Sequence, residues 1–283
     1  MKTLFSHHRK SCFRFILALC LFFFCSSSLF AGGLWLASGA RQAGMDHCSV
    51  ALPGFWSVEN NLAGMTDIRH LTMGTGFQNR YLSPHLGTAY LAVIYPAPFG
   101  NLGITLRYFG YALYHEMKAG LSYARKLGPN LSVGVQIDYL QTGLGDIYGH
   151  RDNFTFALGL HARVSKELLL GVYVYNPVPV KLADYADEKI PAIFRVGLTW
   201  FFSKNLLFTV EAEKNTAYQP IVLRGGIEYV FKHQFYFRTG IGSSGDVFAF
   251  GFGWQLKKLT INLASTMHQN LGFSPQGALV FHF

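Results

Sequence analysis

From about residue 68 to residue 283, apolar and polar side chains alternate at every second position, and no apolar run there reaches the ~18 residues of a membrane-crossing helix. Period two is the mark of a β-strand with one apolar face. In LSVGVQIDYL, Leu131, Val133, Val135, Ile137 and Tyr139 share one face, while Ser132, Gly134, Gln136 and Asp138 share the other. FRVGLTW, LFTVEAE, LRGGIEY and FYFRTGI repeat the pattern. Fourteen such segments run at about 68–80, 85–97, 101–114, 117–127, 130–142, 153–165, 168–176, 190–202, 205–215, 221–232, 234–243, 246–256, 258–267 and 274–283. Half the chain is hydrophobic and only 14% is charged, against about 25% charged in a soluble domain. A helical membrane protein is excluded. The class that remains is all-β: a closed antiparallel transmembrane barrel of about fourteen strands, with its apolar positions turned to lipid.

The connections FGN, KLGPN, SKE, FSKN, FKHQ and LKK read as tight turns on the periplasmic side, and the others as longer outer loops. Trp200, Phe201, Tyr229, Phe231, Trp254, Phe281 and Phe283 flank the tight turns, as a girdle at the membrane boundary would. The last strand, GALVFHF, should pair with the first and close the seam. Leu279, Phe281 and Phe283 would then face lipid, with Val280 and His282 turned inward. This ending resembles the signal by which outer-membrane barrels are handed to their assembly machinery. Residues 1–31 carry Lys2, Arg9, Lys10 and Arg14, then an apolar run and a small-residue exit. That order predicts a cleaved signal peptide and export to the bacterial outer membrane. Its removal takes three of the four cysteines and four basic residues, lowering the net charge from +9 to +5. Only Cys48 remains, so no internal disulfide is expected. No Lys/Arg cluster lies outside the signal, and no nucleic-acid partner is expected.

The inward face of the later strands carries Arg195, Glu211, Glu213, Arg224, Glu228 and Arg238. Basic and acidic residues nearly balance, which favours a structural ladder across neighbouring strands over a charged pore or an acid/base pair. Arg107, Lys118, Asp138, His161 and Arg163 continue the polar lining. Glycines recur on the same face, among them Gly74, Gly103, Gly134, Gly159, Gly226, Gly240 and Gly251, as if making room for something inside. The candidate is the segment 32–67. It does not alternate, yet it is too apolar for a free tail, and it reads as a plug ahead of the barrel proper (68–283).

Within that segment, GARQAGM (Gly39–Met45), SVAL (Ser49–Leu52) and FWSVENNLAGM (Phe55–Met65) resemble the N-terminal hatch of the FadL-like superfamily. In particular they resemble its PorV/PorQ-like branch, found in bacteria with type IX secretion. The closing HQNLGFSPQGALVFHF is similar to the family's final hairpin. The resemblance implies fourteen strands and a hatch built on Gly39, Arg41, Gly44, Met45, Trp56, Asn60, Asn61, Ala63 and Gly64. Two departures are visible: Asn61-Leu62-Ala63-Gly64 lacks the family's proline, and Gly44-Met45 runs into Asp46-His47-Cys48.

No enzyme, metal or cofactor is expected. His47-Cys48 is two ligands where a closed zinc site wants four. Ser265, His268 and Asp246 could mimic a lipase triad, but small polar residues at a strand end explain them equally well. GIGSSG (Gly240–Gly245) reads as a hairpin loop, since no helix follows it. The expected function is a non-enzymatic accessory subunit of an envelope complex for secretion or outer-membrane assembly. Its partners would be outer-membrane lipid, other envelope proteins and, during biogenesis, the barrel assembly machinery. The polar loop at about 176–190 supports protein contact. The alternative is a hatch-gated passive transporter of small hydrophobic molecules. Such a porter should hold a dry apolar pocket under residues 39–65, open to a gap between strands.

Overall fold

The structure is a computed structural model that describes residues 37–144, 149–178, 180–181, 189–217 and 220–283. The expected signal peptide, the first residues of the plug and the charged side chains of the 176–190 loop lie outside them.

The strands are β1 (Thr72–Asn79), β2 (Gly87–Ala97), β3 (Gly100–Tyr111), β4 (Tyr114–Lys126), β5 (Leu131–Leu144), β6 (His150–Arg163) and β7 (Leu168–Tyr175). After a two-residue hairpin, β8 (Val180–Lys181) and β9 (Lys189–Ile190), come β10 (Ile193–Phe201), β11 (Leu206–Asn215), β12 (Val222–Phe231), β13 (Phe235–Gly242), β14 (Asp246–Gln255), β15 (Leu259–His268) and β16 (Gly272–His282). All but β8 and β9 pair antiparallel in one closed barrel of fourteen strands. The seam is sealed by β1 on β16, with Thr72 opposite His282 and Phe77 opposite Gly277. The seam therefore leaves no free edge between first and last strand, which is what a bilayer demands of a sheet.

The alternation reads out as two faces. Ile137 is 63% exposed to the outside, while the next residue, Asp138, is fully buried inside. At the last strand Leu279, Phe281 and Phe283 point outward and Val280 is buried. An exterior this apolar is stable only against hydrocarbon. Among the described residues no helix is long and apolar enough to cross a membrane.

Three expectations change. Phe201 turns inward onto Met45, Cys48, Leu52 and Leu207, and the exposed ring at that turn belongs to Phe202. The β3–β4 connection is no long loop: Tyr111 pairs directly with Tyr114 across two residues. The β8–β9 hairpin inside the 176–190 loop had no alternating pattern to announce it. Its place matters. Tyr175, the last residue of β7, sits opposite Ala157, so residues 150–156 of β6 have no β7 partner. The wall is notched there, and Asn176, at φ 47°, turns the chain away while donating its N–H to the Phe156 carbonyl.

Candidate functional site

Residues 37–67 fill the barrel. They form two short helices, α1 (Ala40–Ala43) and α2 (Ser57–Asn60), and a 3₁₀ segment, Leu62–Asp67. A four-residue helix has no stability of its own. What fixes these turns is burial: Ala40, Met45, Leu52, Val58, Leu62 and Met65 are all excluded from solvent.

The wall glycines make that burial possible. A methyl group at Gly74 would strike the Phe55 ring, and one at Gly103 would strike Val58 and Met65. Added at Gly134 or Gly159 it would meet Leu62 or Asn61, and at Gly226 or Gly240 it would meet Met45. The approach is mutual at Gly44, where a Cβ would lie 2.9 Å from the Gly251 Cα. Gly76, Gly120 and Gly253 instead leave room for wall side chains, including Tyr90, Gln136 and Arg238.

The lumen charges do form a ladder, and the ladder holds the hatch. Arg195 meets Glu213 at 2.6 Å and Glu211 at 3.7 Å; Arg224 meets the same pair at 3.2 and 3.7 Å; Arg238 meets Glu228 at 2.6 Å. Each bridge joins neighbouring strands, as cross-strand pairing allows. Glu228 also accepts two bonds from the Arg41 guanidinium, at 2.9 and 2.8 Å. Arg41 donates a further bond to the Pro53 carbonyl. One oxygen of Glu211 accepts from the backbone N–H groups of Ser49 and Val50, both at 2.7 Å. These charge-assisted bonds are the strong kind.

The other side of the hatch is held by residues that sequence reasoning did not pair. Glu59 meets Lys118 at 3.0 Å, and Lys118 lies 3.7 Å from Asp138. Asn101 on β3 donates to the carbonyls of Met65 and Ile68, and the His161 ring lies 2.9 Å from the Val50 carbonyl. The one available signal was Glu59 itself, the lone glutamate of residues 32–67.

The expected hatch residues act as structural organisers. Asn60 bonds both the N–H and the carbonyl of Ser38 and the carbonyl of Trp56. Asn61 caps the 3₁₀ segment by accepting from the Ala63 N–H, and donates to Val50 and to the wall carbonyls of Leu160 and Val172. That cap works without the proline. Gly39, at φ 103°, lies against Trp56, whose ring stands edge-on to Tyr90 at 5.0 Å. Gly64 faces Ser57 and His161 too closely to carry a side chain.

Asp46 and His47 depart from this order. Both hold left-handed backbone, at φ 53° and 63°, where non-glycine residues are uncommon. Both Asp46 carboxylate oxygens and the His47 Nε2 are buried without a hydrogen-bond partner. Burial pushes the Asp46 carboxyl up to about 7 against the pull of Arg224, with Asp246 and Glu211 adding to the rise. Burial lowers the His47 imidazole to about 3, and Arg224 lowers it further.

Other candidate chemistry does not assemble. Ser265 and His268 are three residues apart on β15, so they point to opposite faces. The His268 Nδ1 is occupied by the N–H groups of Asn270 and Leu271. Among the described residues no three metal-ligating side chains gather. Gly242 and Asp246 end and begin strands, so the GIGSSG segment is a hairpin connection.

Two spaces remain. Against α2, a polar gap of about 20 Å³ is lined by Glu59, Arg107, Lys118 and Tyr173, room for about one water. It is not the dry apolar pocket expected under residues 39–65. An apolar pocket of about 420 Å³ lies instead at the long-loop end, beside the notch, between Pro177, Ile190, Pro191, Ala192, Phe194 and Ala217. Its volume falls in the ~300–1,000 Å³ range of small-molecule sites.

No protein-family model matches the sequence, and no curated protein matches it. Solved structures do share the fold. The CymD monoaromatic hydrocarbon channel is 15% identical with a TM-score of 0.67, over 89% of this chain and 99% of that one. The toluene transporter TodX of P. putida is 11% identical with a TM-score of 0.68, over 88% and 99%. A Pseudomonas aeruginosa FadL homologue is 13% identical with a TM-score of 0.63, over 89% and 98%. The likeness is one of fold: the chain shares the closed fourteen-strand barrel fold of these FadL-type proteins. These neighbours are a channel, a transporter and a FadL homologue, not secretion or assembly components. The expected role as accessory subunit of an envelope complex is therefore overturned.

Proposed function

We propose that this protein is a hatch-gated passive channel for small hydrophobic molecules in the bacterial outer membrane, exported by a signal peptide within residues 1–31. The observation that carries the reading is the match of 88–89% of this chain to a hydrocarbon channel and a toluene transporter, with almost nothing of those chains left over. The apolar pocket at the notch supports it, because it offers an apolar stopping place where the wall is interrupted. The hatch blocks the lumen, so passage requires part of it to shift.

The test is uptake. Cells lacking their own hydrophobic-compound channels, with this protein in the outer membrane, should take up radiolabelled toluene several-fold faster than cells without it. Ala217→Trp, which fills the apolar pocket, should remove most of that gain while leaving the barrel heat-modifiable on gels. Uptake equal to the empty strain overturns the channel reading.

A further inference from the structure

The sequence has no basic run outside its first residues, yet the fold gathers cations at one end. Six carboxylates are buried in the lumen, against five buried cations and the partly buried Arg41. Five of the six tight turns carry exposed Lys or Arg: Arg125 and Lys126, Lys166, Lys204, Lys232, and Lys257 with Lys258. Arg69, also exposed, stands where the chain enters β1. Only two exposed acids, Asp67 and Glu167, share this rim. Among the described residues Lys126 is the one rim cation in an ion pair, with Asp67 at 3.1 Å. The excess at this end alone exceeds the net +5 of residues 32–283.

Depth and distribution say what these cations face. Trp200, Phe202, Phe231, Trp254 and Phe283 are exposed on the outer wall just inside the turns. Aromatic rings of that kind sit at the membrane boundary, so the turn cations stand at headgroup level. The Lys232 ammonium lies 5.3 Å over the Phe231 ring, tying one to the other. The cations occupy turn after turn around the circumference; only the β2–β3 turn, with Phe99 and Gly100, lacks one. A docked protein presses on a continuous patch, whereas a lipid annulus meets the whole perimeter. We propose that the short-turn rim is a basic collar that recruits anionic phospholipid headgroups from the leaflet it borders. This is independent of what the lumen carries.

The test uses the protein reconstituted in phosphatidylcholine vesicles with spin-labelled lipids as probes. The fraction of probe immobilised at the protein gives a relative association constant. Phosphatidylglycerol should associate at least about twofold more strongly than phosphatidylcholine, because each juxtamembrane cation attracts anionic lipid and salt screens the attraction. High salt should abolish the preference in the wild-type protein, a readout that needs no variant to fold. The variant R125Q/K204Q/K232Q/K257Q/K258Q, shown to be heat-modifiable, should bring the ratio close to one. Equal association of the two lipids with the wild-type protein overturns the collar, and is what a rim serving an acidic soluble partner would give. A preference that survives both salt and the charge-removing variant overturns it as well.

Discussion

Asp46 is the residue least at home in its surroundings. Its carboxyl is buried beside Arg224 but makes no hydrogen bond, and its backbone is left-handed. A carboxyl whose folded pKa rises from 3.8 to about 7 binds its proton more tightly folded than unfolded. Its contribution is therefore fully present below about pH 4 and is lost as pH climbs through 7. His47 slopes the other way. With its folded value near 3 against 6.5 unfolded, its contribution is present above pH 6.5 and is lost as pH falls toward 3. Asp46→Asn removes the first slope and leaves the second. Thermal unfolding in detergent should show the variant gaining on the wild type by about 1–3 kcal/mol between pH 5 and pH 8. A difference that does not change with pH would show that Asp46 is not held protonated. Some of this was legible beforehand: the run Gly44-Met45-Asp46-His47-Cys48 stood out as a departure from the hatch pattern. That the two polar side chains would be sealed off was not, because burial here comes from wall strands some 180–200 residues away.

At the scale of elements, strands and hatch were legible to very different degrees. A strand in lipid must put an apolar side chain outward at every second position, so β5 and β16 announce themselves residue by residue. The inward half of the same pattern also carried the glycines that seat the hatch. The hatch follows no period, since it folds against a surface the sequence does not display in order. Glu59 finds Lys118, and Ser49 finds Glu211, only after the barrel has closed. The β8–β9 hairpin was missed for a related reason: two-residue strands are too short to show alternation. This division predicts which changes loosen the hatch alone. Glu211→Ala strips two backbone N–H groups of the hatch of their acceptor and leaves Arg195 and Arg224 with Glu213. Removing one partner from a buried charged network costs ~3–5 kcal/mol, and here that cost falls on the hatch as well as on the wall. Limited proteolysis should cut residues 37–67 in this variant while the barrel stays resistant. Gly240→Val should act by a different route, since its side chain would occupy the space of the Met45 backbone. Equal resistance of wild type and both variants would mean that the seat is not what holds the hatch.

For the whole molecule, the question is whether barrel and hatch fold as one body or as a container and its contents. Closure of the fourteen strands depends on ladder bonds between neighbours and on the β1–β16 seam, none of which runs through the hatch. The exterior band and the girdle also lie wholly on the wall. What the wall loses without the hatch is the covering of its glycines, the Arg41 partner of Glu228, the Glu59 partner of Lys118 and the two backbone N–H donors to Glu211. The cross-strand bridges of Arg195, Arg224 and Arg238 survive, now with water to solvate them, and a charged group returned to water sheds most of its burial penalty. A variant lacking residues 37–67 should therefore still insert and remain heat-modifiable, with a lumen walled by glycine and charge. In planar bilayers it should conduct ions steadily, while the intact protein should stay closed or conduct far less. The apolar pocket at the notch is lined by no hatch residue and stays in place, so with the block gone toluene uptake should rise with the ion leak. If the truncated chain fails to assemble, the hatch is part of the barrel's folding core. If it assembles and stays closed to ions, the wall strands collapse onto the vacated space, and the glycines then mark a wall flexible enough to close without its contents.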